Sequence, residues 1–374
     1  MNWKQVVLSS LAAVTVTMGV PAFSGGASAF TYGPSSIFEQ LDYGVYWFGK
    51  GNVSQKAVKG QANPYYDPAK PTVIFVHGWQ PLSSVMERRE DFDYEQYFVY
   101  NTGDEWVDAG WNVGIFFWNQ FADEEEVTDA EAKIWTADGP RGMRWLRNDE
   151  VYQTFEDLNR SASDLFVEEY MNALSDYKGD NIRIVGHSLG SQMATLLTKK
   201  VSDKVQAGQL PANLQPDRVA LLDPFWSKWG KGYLGGKWTG EVSREYVSAL
   251  KAKGIVFELY KSSAINDMWI GDENLEMRRM TTFVEYQPWY IPAVDQIGQH
   301  NIATKMYFSS FGFQAPEVTV NWLGQRIKTG NTAPSAAMSD AEIGKRMDSG
   351  KKWVQVEGRM TQSTDDDWYE VKSK

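Results

Sequence analysis

The chain has 374 residues, no cysteine, 48 acidic side chains against 37 basic ones, and a formal net charge of −11. Without a thiol, a disulfide framework and a cysteine nucleophile are both excluded, as is the lipidated cysteine of a bacterial lipoprotein. The acidic balance repels phosphate backbones, so nucleic acid is not an expected partner.

The first residues read as an address. Lys4 precedes a mostly apolar run from Val6 to Val20, and Ala27-Ser28-Ala29 offers the small-x-small pattern of a signal peptidase site. Residues 1–29 are therefore expected to be a signal peptide cut before Phe30, sending the protein outside the cell or into a periplasm. The run is broken by Pro21 and Gly25-Gly26, short of the roughly 20 apolar residues of a spanning helix. No later segment is longer, so stable membrane insertion is not expected.

Through the middle of the chain, short apolar β-rich runs alternate with helical stretches. Thr72–Val76, Val113–Trp118, Ile182–Val185, Val219–Leu222, Ile255–Tyr260 and Thr281–Tyr286 read as strands, and 151–175, 190–201 and 243–253 as helices. That alternation predicts a mostly parallel sheet covered on both faces. The charged stretch 80–110 predicts surface helix and loop, and Asp123-Glu124-Glu125-Glu126 a solvated face, because its spacing matches no compact metal loop. No metal and no cofactor are expected. After residue 328, Thr329–Met338 has linker composition, Ser339-x-x-Glu342 matches a capping box, and Trp353–Val371 alternates like a strand pair. The expected organisation is a leader over 1–29, a catalytic domain over 30–328, and a linker with a small C-terminal extension over 329–374.

The chemistry concentrates at Gly186-His187-Ser188-Leu189-Gly190, between an apolar strand and a helix. This is the context a nucleophile elbow requires: a turn too sharp for side chains at either glycine, with the serine hydroxyl held at the strand end. A serine hydroxyl needs a base, and the chain holds only three histidines. His187 lies inside the elbow and His77 in the exit turn of the first predicted strand, which leaves His300. The third partner must orient and stabilise that imidazole. Asp223 fits by ending Arg218-Val-Ala-Leu-Leu-Asp-Pro224 after the nucleophile and before the histidine, with Asp267 and Asp272 as competitors. Expected oxyanion donors are the amides of Leu189, at the helix start, and of Trp79, in His77-Gly78-Trp79-Gln80.

The motifs Val-Ile-Phe-Val-His77-Gly78-Trp79, Ile184-Val-Gly-His-Ser188-Leu-Gly190, Leu221-Leu-Asp223-Pro224 and Gln299-His300-Asn301 resemble those of the lipase family that includes pancreatic-type and lipoprotein lipases, over about residues 70–310. The resemblance implies an α/β-hydrolase fold and a secreted hydrolase of lipid or other carboxylic esters. It implies Ser188 as nucleophile, Asp223 and His300 as its partners, and Trp79 and Leu189 as oxyanion donors. A disulfide-closed lid is impossible without cysteine, so Phe225–Gly240 is the candidate lid. Trp79, Trp226 and Trp229 are candidate acyl-chain contacts. Phospholipase A1 activity, hydrolysis of short esters, and a non-catalytic lipid-binding role remain as alternatives.

Overall fold

The computed structural model describes residues 30–32, 34, 36–95, 99–157, 159–267, 270–361 and 363–374. The expected leader 1–29 lies outside them. One sheet of twelve strands organises the molecule. In chain order these are β1 Gly44–Phe48, β2 Ser54–Lys56, β3 Thr72–Val76, β4 Asn112–Phe117, β5 Ile182–His187, β6 Arg218–Leu222, β7 Val256–Lys261, β8 Thr282–Glu285, β9 Glu317–Trp322, β10 Gln325–Thr332, β11 Lys351–Glu357 and β12 Trp368–Ser373. Their order across the sheet is β10-β9-β12-β11-β8-β7-β6-β5-β3-β4-β1-β2. The run from β4 through β11 is parallel throughout, and antiparallel pairs extend it at both edges.

Strand β3 is buried along its whole length, as a strand covered on both faces must be. Its alternate side chains divide between two cores. Ile74 and Val76 pack with helices α2 (Val127–Trp135), α3 (Ala162–Ala173), α4 (Gly190–Gln206) and α5 (Thr239–Lys251), through residues such as Ile134, Phe166, Met193 and Val247. Val73 and Phe75 pack on the other face with α1 (Thr102–Asp108) and α6 (Gln296–Ser309), through Trp106, Ala303 and Phe308. No helix among the described residues is long and apolar enough to cross a membrane.

Four expectations change. The helix predicted over 151–175 begins only at Ala162, because Ser161 and Asp164 form a capping box that fixes its start. The charged stretch 80–110 holds a helix, Thr102–Asp108, and exposed turn residues such as Leu82 and Met86, but it also contributes the short strands Arg88–Glu90, Asp93–Glu95 and Val99–Asn101, and Arg89 and Glu90 are buried. Arg89 pairs with Asp42, 47 positions earlier, which is what lets a cation go inside. In the acidic run, Asp123 and Glu124 are also buried. Asp123 accepts the amides of Leu82 and Ser84, and Glu124 binds Lys133 and Arg144, so neither carboxylate faces solvent.

The C-terminal extension does not stand apart. The boundary expected at 328 falls within β10, β11 adds to the central sheet in parallel beside β8, and the Ile343 carbonyl of α7 (Asp340–Met347) accepts the hydroxyl of Thr282. Ser339 and Glu342 form the capping box read from the sequence.

Candidate active site

The parallel strands β3, β5, β6 and β7 end side by side, and the predicted residues lie at those ends. Between β5 and α4 the chain turns through Ser188 at φ 55°, a left-handed conformation that is costly for a residue with a Cβ. Gly186 and Gly190 permit the turn. A Cβ on Gly186 would stand 2.3 Å from the Gly190 carbonyl oxygen, and one on Gly190 would stand 2.1 Å from that of Val76. The Ser188 amide donates to Leu222 O at 3.0 Å, which ties the elbow to the end of β6.

Asp223 follows β6, also at positive φ (36°), and its amide donates to Tyr260 O at 2.7 Å. Its carboxylate is buried and accepts the amides of Ser262 and Ser263, the Ser263 hydroxyl, and His300 Nδ1 at 2.6 Å. Burial by itself would raise this carboxyl. The bond and charge of His300, the charge of Lys261 and the Ser263 bond outweigh it and hold Asp223 at about 2. The rival acids are engaged elsewhere: Asp267 with Lys261 and Arg278, Asp272 with Arg244.

His300 sits in the second turn of α6, and it is buried. Asp295 caps that helix through the Gly298 amide, so the cap fixes the first turn and presents His300 toward β6. The structure thus joins His300 to Asp223 directly. Ser188 lies beside them, with no hydrogen bond to His300 among the described residues; such bonds often tighten only when substrate binds.

The other two histidines have structural employment. His77 is fully buried, bonds Gly78 O through Nδ1, accepts the Trp118 amide at Nε2 and stacks on the Trp118 ring. His187 approaches His300 O with Nε2 at 3.1 Å and packs against the His300 ring at 4.4 Å. Burial pushes both down to about 3, so each stays neutral. The contact of His187 with His300 escapes sequence reading, since nothing local links positions 113 residues apart.

The His77–Gln80 loop lies against the elbow: a Cβ on Gly78 would stand 2.7 Å from Ser188 Cβ and 3.2 Å from the Leu189 nitrogen. The Trp79 and Leu189 amides donate to no acceptor among the described residues. The Trp79 indole bonds Glu124 O, anchoring the loop to the buried Glu124–Lys133–Arg144 cluster.

Of the three tryptophans expected at the mouth, Trp226 is instead core: it is buried and its indole bonds Ser243 Oγ. Trp229 is 60% exposed and Trp79 half-buried. The candidate lid is pinned at both ends, because the buried Glu131 carboxylate accepts the Ser227 amide and hydroxyl and the Thr239 hydroxyl. Beside His187 opens a cavity lined by Glu90, Asp93, Tyr94, Asn301 and Lys305. Among the described residues, no cluster of three or more metal-binding side chains is present.

Parallel strands with a strand–turn–helix serine elbow at their carboxyl ends define an α/β hydrolase. Residues 123–214, about a quarter of the chain including Ser188, match the model of the family Lipase (class 3). The chain has the α/β-hydrolase fold and is similar to lipases over that segment. No curated protein matches it. Among solved structures it is similar to an acylaminoacyl peptidase of Pyrococcus horikoshii (13% identity, TM-score 0.25, covering 59% of this chain and 31% of that one). It is also similar to a thioesterase domain from the curacin biosynthetic pathway (11%, 0.24, 82% and 78%) and to Thermogutta terrifontis esterase 2 (11%, 0.27, 70% and 79%). The chain thus spans about a third of the peptidase's length, and at these TM-scores none of the three bears on mechanism.

Proposed function

We propose that this chain is an exported serine hydrolase of carboxylic esters, a lipase, working through an acyl-enzyme. The observation that carries the reading is the His300 Nδ1–Asp223 bond of 2.6 Å, made beside a serine held in left-handed backbone at the end of β5. Ser188 Oγ attacks the ester carbonyl carbon while His300 Nε2 takes its proton. Asp223, ionised across the working pH range, stabilises the imidazolium. The oxyanion is met by the amides of Trp79 and Leu189. As the tetrahedral species collapses, the alcohol leaves with the proton from His300. Water then repeats the sequence on the acyl-serine, releasing the acid and restoring Ser188. Export rests on the Lys4, apolar-run and Ala27-Ser28-Ala29 pattern.

A second reading, hydrolysis of esters with a polar alcohol moiety, is favoured by the polar lining of the cavity beside His187. A panel of esters varied in acyl length and alcohol polarity separates the two readings. Rates that climb with chain length and jump above the solubility limit support the lipase. Activity that survives Ser188→Ala sinks the serine mechanism, and wild-type activity should exceed that variant by about 10⁶-fold in kcat.

A further inference from the structure

Beneath the site lies a charged cluster sealed from solvent. Glu258 on β7 and Arg218 on β6 are both fully buried. Arg218 Nε reaches Glu258 Oε1 at 2.7 Å and its Nη2 reaches Oε2 at 2.8 Å. Two phenols complete the carboxylate: Tyr260 Oη donates to Oε2 at 2.8 Å and Tyr307 Oη to Oε1 at 2.9 Å. Further Arg218 donors go to Met338 O and Ser335 O, and Nη1 lies 3.6 Å from Asp340 Oδ1. Such a pair contributes little net stability compared with apolar residues of the same volume, because desolvation cancels the attraction. Its use must lie in what it connects.

Tyr307 follows His300 by seven residues on α6, two helical turns, so both project from the same face, about 10 Å apart along the axis. The helix is therefore hydrogen-bonded to the sheet at two points: His300 to Asp223 at the strand ends, Tyr307 to Glu258 deeper in the sheet. The same cluster reaches the acid. Tyr260 bonds Glu258 through its hydroxyl while its carbonyl accepts the Asp223 amide. Apolar contacts of α6 through Ala303, Met306 and Phe308 hold it on the sheet but resist sliding or rolling poorly, since dispersion has little directional preference. A hydrogen bond to a fixed carboxylate is directional.

We propose that Tyr307 and Glu258 are positioning residues for the reaction: bound to a carboxylate locked by Arg218, Tyr307 sets the roll and height of α6 and so aims the His300 imidazole between Asp223 and Ser188. The proposal rests on the serine-hydrolase reading above. It assigns to Tyr307 no contact with substrate.

The test is Tyr307→Phe, which removes one oxygen and keeps the ring. Its comparator is Tyr170→Phe, which removes another fully buried phenol bond (Tyr170 Oη to Leu214 O, 2.6 Å) on the opposite face of the sheet. Melting temperature, kcat and KM on the best ester, and the imidazole proton resonance of the His300–Asp223 bond are measured for both. Both variants should melt earlier. Tyr307→Phe alone should lose about ten- to a hundredfold in kcat with KM unchanged, and should shift or broaden the imidazole resonance. Equal kcat values in the two variants, or an unmoved resonance in Tyr307→Phe, overturns the proposal. The resonance needs no turnover, so a wild type without esterase activity would sink the functional reading while still testing the positioning one.

Discussion

Two buried carboxylates on the α6 side of the sheet invite comparison. Asp223, at the strand ends, and Glu258, deeper in β7, each accept four hydrogen bonds. Glu258 faces a permanent cation, Arg218, and two phenols held high by burial, so none of its partners changes charge in use. Asp223 faces two amides, a hydroxyl and an imidazole, and the imidazole can gain a proton. A saturated carboxylate with fixed partners builds a frame. Under the proposed mechanism, one whose imidazole partner takes the Ser188 proton supports chemistry. Burial and bond count are the same, and the identity of one donor decides the difference.

The largest expected effect is on rate at the strand ends. Asp223→Asn should lower kcat by about 10⁴-fold while changing melting temperature little, because the amide keeps the shape but favours the wrong tautomer of His300. If kcat falls less than tenfold, the acid is another residue, and Asp267 is next to test. The counterpart substitution, Arg218→Met, strips Glu258 of its cation and should cost about 3–5 kcal/mol in denaturant unfolding. A loss below 1 kcal/mol would mean that the cluster relaxes or admits water.

The smallest effect concerns a third buried carboxyl, Glu90. It has Gln80 as partner but no ion pair among the described residues, and burial lifts it to about 8. The folded chain therefore retains a proton that the unfolded chain releases in the ordinary glutamate range. The stability linked to this group is whole at low pH, declines as pH rises from that range through about 8, and is flat beyond. Glu90→Gln should remove that decline, giving a flatter curve of melting temperature against pH between roughly 4.5 and 8. Superimposable curves would show that Glu90 is ionised in the folded state.

Much of the site was legible because its signals are local. Gly186 and Gly190 bracket Ser188 at contact spacing, Pro224 stops β6 at Asp223, and the scarcity of histidine leaves His300. Charged segments were misread for the complementary reason. Arg89, Glu90, Asp123 and Glu124 look solvated in the sequence, where charge predicts exposure, but their burial depends on partners such as Asp42, Gln80 and Lys133 that only folding brings near. Strand β11 is legible as one half of a strand pair, and its place beside β8 is a matter of pairing, not of pattern.

By itself the sequence determined the alternation of strands and helices, the elbow, the residue types of the site and their order along the chain, since backbone sterics and hydrophobic periodicity act over a few residues. Only the tertiary structure decided which acid meets His300, that His187 buttresses it, and that Tyr307 and Asp223 share a frame through Glu258 and Tyr260. Those choices are contacts between positions tens to hundreds of residues apart, where the energy of a hydrogen bond depends on geometry that no local pattern carries.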